Sequence, residues 1–433
     1  MKKKFSGGIQ LAPSTEELKK LFKAPLELTR IEPDYVVIPV SQHIGAPNEV
    51  LVAVGDQVAE GQLIARNSAA VSGYVHASIS GIVTAIKEVP GLGEQQLAIR
   101  IQRGPAEEVR LSEMSPLETV RHAGIVGMGG ATFPTHVKLD PDPEITVHTV
   151  VLNGAECEPF LLSDNLLMIR ESEKIIRGGR IMQELLGAKR ILVGIEADKP
   201  QAIAAMAQAA APFPDIEVVT LPTIYPQGGE KEILESLLGV ESPMHDRTIA
   251  TGAFSTNVAT SKAVADAVDE RRPLTRRYVT VTGDVMTPKI VEFPLGTTAE
   301  QLIDFCGGFN GAPSRILNGG PMMGKTLPNL EVPLTKGSNG LVVLNHAHDG
   351  KTEESPCIRC NRCVTVCPIR LEPHHIDLAY RSGNYARVAQ LLAEECINCG
   401  CCTYVCPARR NLAANIVAAG NKVATIKEEL AND

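Results

Sequence analysis

The 433-residue chain contains no apolar run approaching the ~18–20 residues that cross a bilayer, so no membrane span is expected. Its start, Met1-Lys2-Lys3-Lys4, is basic, but Phe5-Ser6-Gly7-Gly8-Ile9-Gln10 does not continue into the apolar core of a secretory leader. Export is therefore not expected, and three lysines are too few to anchor a membrane alone. An excess of positive charge is also missing. With 42 Lys and Arg against 50 Asp and Glu, the net charge is −8, which gives no sign of a nucleic-acid partner. Cysteine is scarce over most of the length: of eleven, only Cys157 and Cys306 lie outside Cys357 to Cys406. A disulfide scaffold would spread its cysteines, so a clustered set points to metal. A 44% hydrophobic share is enough for several cores, and the length suggests about three domains.

The texture changes along the chain. Residues 1–30 read as an irregular leader followed by a short helix capped around Ser14-Thr15-Glu16-Glu17. From 31 to 104 come short β-rich runs punctuated by glycine, such as Val50 to Val54 and Gly81 to Ile86. The stretches VGDQVAEGQLIA (54–65) and SGYVHASISGIV (72–83) resemble a lipoyl-type barrel-sandwich. Carriers of that type present a lysine between the two halves. Here Arg66 to Ala70 has none, so the resemblance implies the fold without the carrier role. From 115 to 270 strands (Val147 to Leu152, Arg190 to Ile195) alternate with helices (Asn165 to Leu186, Lys199 to Ala211), which predicts an α/β domain with a largely parallel sheet. Residues 276–350 return to short strands around a helix from Thr298 to Cys306, a small α+β module. The remainder, 351–433, reads as helical wherever the cysteines allow, as in Ile376 to Glu395.

The tail carries the sharpest signal. Cys357-x2-Cys360-x2-Cys363-x3-Cys367-Pro368 recurs as Cys396-x2-Cys399-x2-Cys402-x3-Cys406-Pro407, an offset of 39 residues from Cys357 to Cys396. In two-cluster ferredoxins the fourth cysteine of each run ligates the other cluster, with the proline turning the chain away. Cys357, Cys360, Cys363 and Cys406 are thus expected to hold one [4Fe-4S] cluster, and Cys367, Cys396, Cys399 and Cys402 the second. Zinc would favour two-plus-two ligand groups, often with histidine. Cys401 falls outside the spacing and reads as a bystander. Two such clusters carry single electrons only, so a two-electron donor would need a flavin between.

Gly124-Ile-Val-Gly127-Met-Gly129-Gly130-Ala-Thr-Phe133-Pro134-Thr-His-Val-Lys138 opens the α/β region. Close glycines let backbone N–H groups approach a phosphate or ring edge. The spacing is not the dinucleotide fingerprint, and by itself it serves a structural turn or a cofactor loop equally well. Three further segments come after it in order: Val151-Leu-Asn153-Gly-Ala155-Glu156-Cys157-Glu158-Pro159, Tyr225-Pro-Gln-Gly-Gly229-Glu230-Lys231 and Thr256-Asn257-Val-Ala-Thr260. Together they resemble the NADH-oxidising, FMN-binding subunit of respiratory complex I, over about 120 to 345, including the ubiquitin-like SLBB module that comes after its flavin domain. The resemblance implies that Gly127, Gly129 and Gly130 line the flavin and that Lys138 reaches its phosphate-ribityl side or the nucleotide. It also implies that Asn153, Glu156 and Asn257 hydrogen-bond FMN. Glu158 and Glu230, the candidate catalytic acids, match positions near the nicotinamide dinucleotide, as does Phe133. Two positions depart: Gly229 stands where the family has an acid, and Ala155 where it has an aspartate touching the flavin.

With Phe5 to Ile9, Val37 to Pro47 (containing Gln42-His-Ile-Gly-Ala-Pro), and Asn318-Gly-Gly-Pro-Met322-Met323-Gly324, the whole chain resembles the C subunit of the Rnf complex, a membrane-bound ion-translocating electron-transfer machine. That implies a peripheral subunit at the cytoplasmic face of the membrane that exchanges hydride with NADH at FMN and passes electrons to two [4Fe-4S] clusters. Its partners would be membrane-embedded subunits and a ferredoxin-like subunit. Two rivals share these modules: a cobalamin reductase of the propanediol-utilisation type, and a non-enzymatic iron–sulfur relay whose nucleotide site has degenerated. Cys157 and Cys306 read as packing, and His43, His76 and His122 carry no assigned role; His374-His375, after the first cysteine run, are placed to tune a potential but read first as solvated.

The ligand pattern makes a direct prediction. Reconstituted protein should carry about eight irons per chain. That content should be unchanged in Cys401→Ala and about halved in Cys402→Ala, measured by iron analysis; equal losses in both would sink the assignment by spacing.

Overall fold

The computed structural model describes residues 5–11, 26–242, 247–346 and 353–432; the helix expected around Ser14 lies outside the described residues. Alternating apolar residues build the first domain. An antiparallel sheet in the spatial order Tyr35–Pro39, Gln95–Arg103, Gly81–Pro90, Gln57–Val58 faces a smaller one of Glu49–Val50, Leu63–Arg66 and Val75–His76. Val36, Ile38, Ile64, Ile79, Val83, Ile99 and Ile101 fill the space between them. Period-2 burial on two facing sheets gives a sandwich core. Of the run Val50 to Val54, only Glu49–Val50 pairs as a strand.

The α/β domain holds a four-stranded parallel sheet ordered Ile216–Leu221, Arg190–Glu196, Thr149–Asn153, Ala253–Asn257. The middles of its central strands, Val150 to Leu152 and Ile191 to Ile195, are apolar, as expected where helices cover both faces. The first strand in the chain has the second on one side and the last on the other, so the order reverses between Thr149–Asn153 and Ala253–Asn257. Such a reversal opens a crevice at the carboxyl ends of the strands, the usual ligand site of open α/β sheets. Asn153 and Asn257 are register partners at that end.

Where one helix was expected over Asn165 to Leu186, there are two, Ser163–Arg170 and Ser172–Leu186, because Glu171 leaves helical geometry (φ −123°, ψ 27°). The expected helix from Ile376 to Glu395 likewise divides into Pro373–Arg381, Tyr385–Gln390 and a 3₁₀ turn, Ala393–Glu395. Gly383 takes a left-handed φ of 72°, and the Asn384 side chain caps the next helix by accepting from Arg387 N–H. A glycine stop and then an asparagine cap end one helix and start another.

The third module is a six-stranded mixed sheet with the helix Ala299–Phe305, which Thr298 and Gln301 cap reciprocally. Leu28–Arg30, within the segment read as leader, adds a parallel edge strand to it, beside Lys289–Pro294. The tail packs Pro373–Arg381 and Tyr385–Gln390 on the long helix Leu412–Asn432 through Ile376, Val388, Leu412 and Ile416.

Three modules converge on one side chain. Lys336, fully buried, donates from Nζ to the carbonyls of Tyr74 in the sandwich and Gly124 at the start of the glycine-rich loop, both at 2.6 Å. Its backbone N–H donates to Gln42 Oε1, and its carbonyl accepts from Arg277, which also donates to the Met128 carbonyl at 3.1 Å. Burial pushes the Lys336 ammonium down to about 7.

In the folded chain Lys336 therefore releases its proton near pH 7, and in the unfolded chain only near the ordinary lysine value. Between the two the unfolded state binds more protons, so this group's contribution to stability rises with pH and is flat below the window. Wild type should accordingly gain stability relative to Lys336→Met between pH 7 and 9, by about 1.4 kcal/mol per pH unit at most. Urea unfolding at several pH values checks this; parallel curves for the two proteins would contradict it.

Candidate functional site

The glycine-rich loop closes on itself and hangs over the sheet crevice. Gly127 N–H donates to the Phe133 carbonyl at 2.8 Å, Thr132 N–H to the Gly127 carbonyl at 3.0 Å, and Met128 N–H to Thr260 Oγ1 at 2.9 Å. Between these anchors the chain turns through Gly130, whose φ of 114° excludes an ordinary side chain. A Cβ at Gly130 would meet nothing within 4 Å, and one at Gly129 only the Asn257 Cβ at 3.6 Å. The loop thus presents backbone to open space above Asn153 and Asn257, a cradle suited to a planar ring or a phosphate.

Around the crevice the candidate residues form one network. Asn153 donates to the Gly228 carbonyl at 2.8 Å and accepts from Ala155 N–H. Asn257 caps the helix Val258–Glu270 by accepting from Ala259 N–H and donates to Asp164 Oδ2 at 2.7 Å. Lys138 bridges Glu230 Oε1 and the Ser255 carbonyl, both at 2.6 Å. The Glu156 carboxylate accepts from the N–H groups of Asp164 and Asn165, both at 2.9 Å, in the first turn of Ser163–Arg170. Burial and the neighbouring Asp164 raise its pKa. Glu158 points elsewhere. Its carboxylate accepts from Met322 N–H at 3.0 Å and Met323 N–H at 2.7 Å, and burial pushes it up to about 7. The two candidate acids are therefore separated: Glu230 stands with Lys138, and Glu158 grips the Met322-Met323 turn.

Sequence reading missed several members of this site. Asp164 links Glu156 to Asn257, and beneath them Lys199 is buried with Glu196 at 3.2 Å and Asp198 at 3.1 Å. At Gly229, a Cβ would collide with the Glu232 carboxylate, which is buried and pushed up to about 7 by that burial. A side chain at position 229 would therefore require the Glu232 carboxylate, three residues on, to swing aside.

The tail cysteines fall into two groups. Cys357, Cys360, Cys363 and Cys406 line one cavity with His374 and Pro407. In the other group, burial and then the Cys399 and Cys396 thiols push Cys367 up to about 11, and burial with Cys399, Cys396 and Cys367 raises Cys402. Each group draws three thiols from one run and the fourth from the other. Among the described residues no three His, Cys, Asp or Glu side chains converge tightly enough to suit a single metal ion. Cys357 and Cys360 are exposed, whereas Cys367, Cys399 and Cys402 are buried. Cys401 is fully buried beside Cys399.

The buried group is stitched to the α/β domain. Tyr225 donates from its hydroxyl to the Cys399 carbonyl at 2.8 Å, Ile9 and Tyr225 exchange two backbone hydrogen bonds, and Gly8 N–H reaches the Val366 carbonyl at 3.0 Å. Gly7 adopts φ 71° against the Cys367 carbonyl, where a Cβ would collide. Met322 packs beside Gly400, and Lys231 pairs with Glu395 at 3.6 Å.

Against known families, residues 3–103 match the RnfC barrel sandwich hybrid domain, 120–266 the Nuo51 FMN-binding domain, 278–326 the SLBB domain and 356–409 a 4Fe-4S dicluster domain. The chain is 43% identical to the C subunit of the proton-translocating ferredoxin:NAD(+) oxidoreductase complex of Clostridium ljungdahlii, over 87% of this chain and 84% of that protein. The chain belongs to the RnfC family. Similarity extends to the C subunit of the Na(+)-translocating complex of Acetobacterium woodii (38%, 86% of each chain) and to that of the Rhodobacter capsulatus ion-translocating oxidoreductase complex (38%, 83% of this chain and 72% of that protein). In fold, a chain of NAD+-reducing [NiFe]-hydrogenase overlays with a TM-score of 0.50 at 20% identity, over 70% of this chain and 60% of that one. The RnfC-family architecture is thus a barrel sandwich, a Nuo51-type FMN-binding α/β domain, an SLBB module and a dicluster domain in series.

Gly229 supplies a test of this local geometry. Restoring the acid by Gly229→Glu should destabilise the protein by about 1–3 kcal/mol through overpacking against Glu232, and adding Glu232→Ala should recover most of the loss. Thermal unfolding of the two variants decides it; a single variant as stable as wild type would refute the collision.

Proposed function

We propose that this RnfC-family chain is the electron-input subunit of an ion-translocating ferredoxin:NAD(+) oxidoreductase complex. The observation that carries the reading is the direct bond between its two redox regions: Tyr225, from the same Gly-rich turn as Glu230, holds the backbone of Cys399. FMN, when bound, exchanges a hydride with NADH and releases electrons singly, which the two [4Fe-4S] clusters can carry.

The residues suit those groups. The open backbone at Gly129 and Gly130, beside Gly127, leaves room for the flavin. Asn153, Asn257 and Lys138 surround the same crevice, and Glu156 sits behind Asn257 through Asp164. Lys138 neutralises Glu230 in the protein alone and is placed to exchange that partner for a phosphate. Glu230 and Phe133 would then flank the dinucleotide, while Glu158 holds the Met322-Met323 turn that packs beside Gly400.

The buried group, Cys367, Cys396, Cys399 and Cys402, would take electrons from the flavin side. The exposed group, Cys357, Cys360, Cys363 and Cys406, would pass them to a partner. No helix among the described residues is long and apolar enough to cross a membrane, so membrane-embedded partners would perform ion translocation. The chain would sit at the cytoplasmic face beside a ferredoxin-like subunit.

Anaerobic NADH titration of cluster-reconstituted, FMN-supplemented protein tests the proposal. Flavin absorbance should bleach and cluster absorbance should then fall. If about eight irons bind and NADH leaves the flavin oxidised, the chain is a relay and the NADH-oxidising role fails.

A further inference from the structure

The two cysteine runs are copies in spacing, so whatever distinguishes the clusters must come from other residues. The 39-residue offset also aligns the helices downstream of each run: Pro373–Arg381 corresponds to the start of Leu412–Asn432. One backbone donor is shared between the copies, since Arg359 N–H lies 3.4 Å from Cys357 Sγ and Asn398 N–H 3.4 Å from Cys396 Sγ. At the second position of each helix the copies differ. His374 stands in the first, and its counterpart in the second is Ala413, which has no polar side chain.

His374 lines the cavity of the exposed cysteine group, and its Nδ1 lies 3.8 Å from Cys363 Sγ. Its neighbour is engaged elsewhere: His375 Nδ1 contacts Glu372 at 2.9 Å. The two rings lie beside each other, centroids 4.0 Å apart. A cysteine sulfur bound to iron offers lone pairs and no proton, so a neutral imidazole facing it carries its hydrogen on the near nitrogen.

We propose that His374 is a positioning and tuning residue for the exposed cluster, donating an Nδ1–H hydrogen bond to the Cys363 sulfur and so raising that cluster's reduction potential. The inference rests on the reading that the tail holds two [4Fe-4S] clusters. Reduction adds negative charge that spreads onto the ligand sulfurs, and a donor aimed at one of them binds the reduced state more tightly. The buried cluster has its own extra donor, Leu371 N–H at 3.3 Å from Cys367 Sγ, which a change at His374 leaves in place. Only the exposed cluster should respond. Raising its potential favours residence of the electron at the end of the chain that faces solvent, where a partner can collect it.

The test is a potentiometric titration monitored by electron paramagnetic resonance, with iron content measured first, on reconstituted wild type, His374→Ala, His374→Gln and His375→Ala. Wild type without about eight irons would remove the two-cluster reading itself. With iron retained, His374→Ala should lower one midpoint potential and leave the other unmoved. A tenfold change in the reduced-to-oxidised ratio corresponds to about 59 mV for one electron. His374→Gln, which keeps an N–H donor, should fall between, and His375→Ala should match wild type. Unchanged potentials in His374→Ala, or equal shifts of both clusters, overturn the proposal. Loss of iron in both His374 variants would assign the residue to cluster retention and overturn it as well.

Discussion

A lysine ammonium buried without a carboxylate is held only where carbonyls converge on it, and Lys336 is the point at which this molecule closes. Moving such a group from water costs several kcal/mol unless its hydrogen bonds are replaced. The replacements come from modules far apart in sequence, Tyr74 in the sandwich and Gly124 before the glycine-rich loop. Arg277, also buried and pushed down to about 10 by burial, spans the Lys336 and Met128 carbonyls. Its charge faces Asp164, which accepts from Asn257 at the floor of the crevice. The shape of the loop that frames the site is thus set by the sandwich and the SLBB module as much as by the α/β domain that carries it. The four modules are parts of one site rather than beads on a string.

The same economy governs the join to the dicluster domain. Domains in one chain move relative to each other by default when little apolar surface lies between them. Here Ile9, Leu11, Tyr225, Met322, Val366 and Val405 pack around Cys399 and Cys401, and the strap from Phe5 to Ile9 hydrogen-bonds to both sides at once. Gly7 and Gly8, both at positive φ, let that strap turn hard against the Cys367 carbonyl. Electron transfer between a flavin and a cluster depends on a short, constant separation, and these contacts tie the two regions to each other.

What the sequence revealed and what it hid divide along physical lines. Period-2 runs, apolar parallel strands and ligand spacing are local patterns, and they were enough to read a sandwich, an α/β domain, a small α+β module and a paired-cluster tail. Helix breaks at Glu171 and Gly383 were harder, since apolar periodicity runs through both. Tyr225 with Cys399 and Lys336 with Gly124 lie 174 and 212 residues apart, and no local signal encodes such pairs. Asn153 and Asn257 each stood out within a motif. That they are neighbours comes only from the strand order, which places the first and last strands side by side. The missing acid at Gly229 looked like decay; in three dimensions the Glu232 carboxylate lies against that position.

An internal repeat copies ligands without copying surroundings. The two cysteine runs have identical spacing, yet one group is enclosed by Tyr225, Met322 and the N-terminal strap, while the other leaves Cys357 and Cys360 exposed beside Ile358, itself 68% exposed. Equal ligand sets alone would give two clusters of similar potential and no preferred end. Burial, solvent access and hydrogen bonds to sulfur are the remaining means of separating them, and each of these lies in residues that differ between the copies. The exchange of the fourth cysteine limits how far the groups can drift apart in space. Cys367 leaves the exposed run to join the buried group, and Cys406 makes the reverse journey. Displacing either group therefore strains both, so the wire keeps its length while its two ends are free to diverge in chemistry.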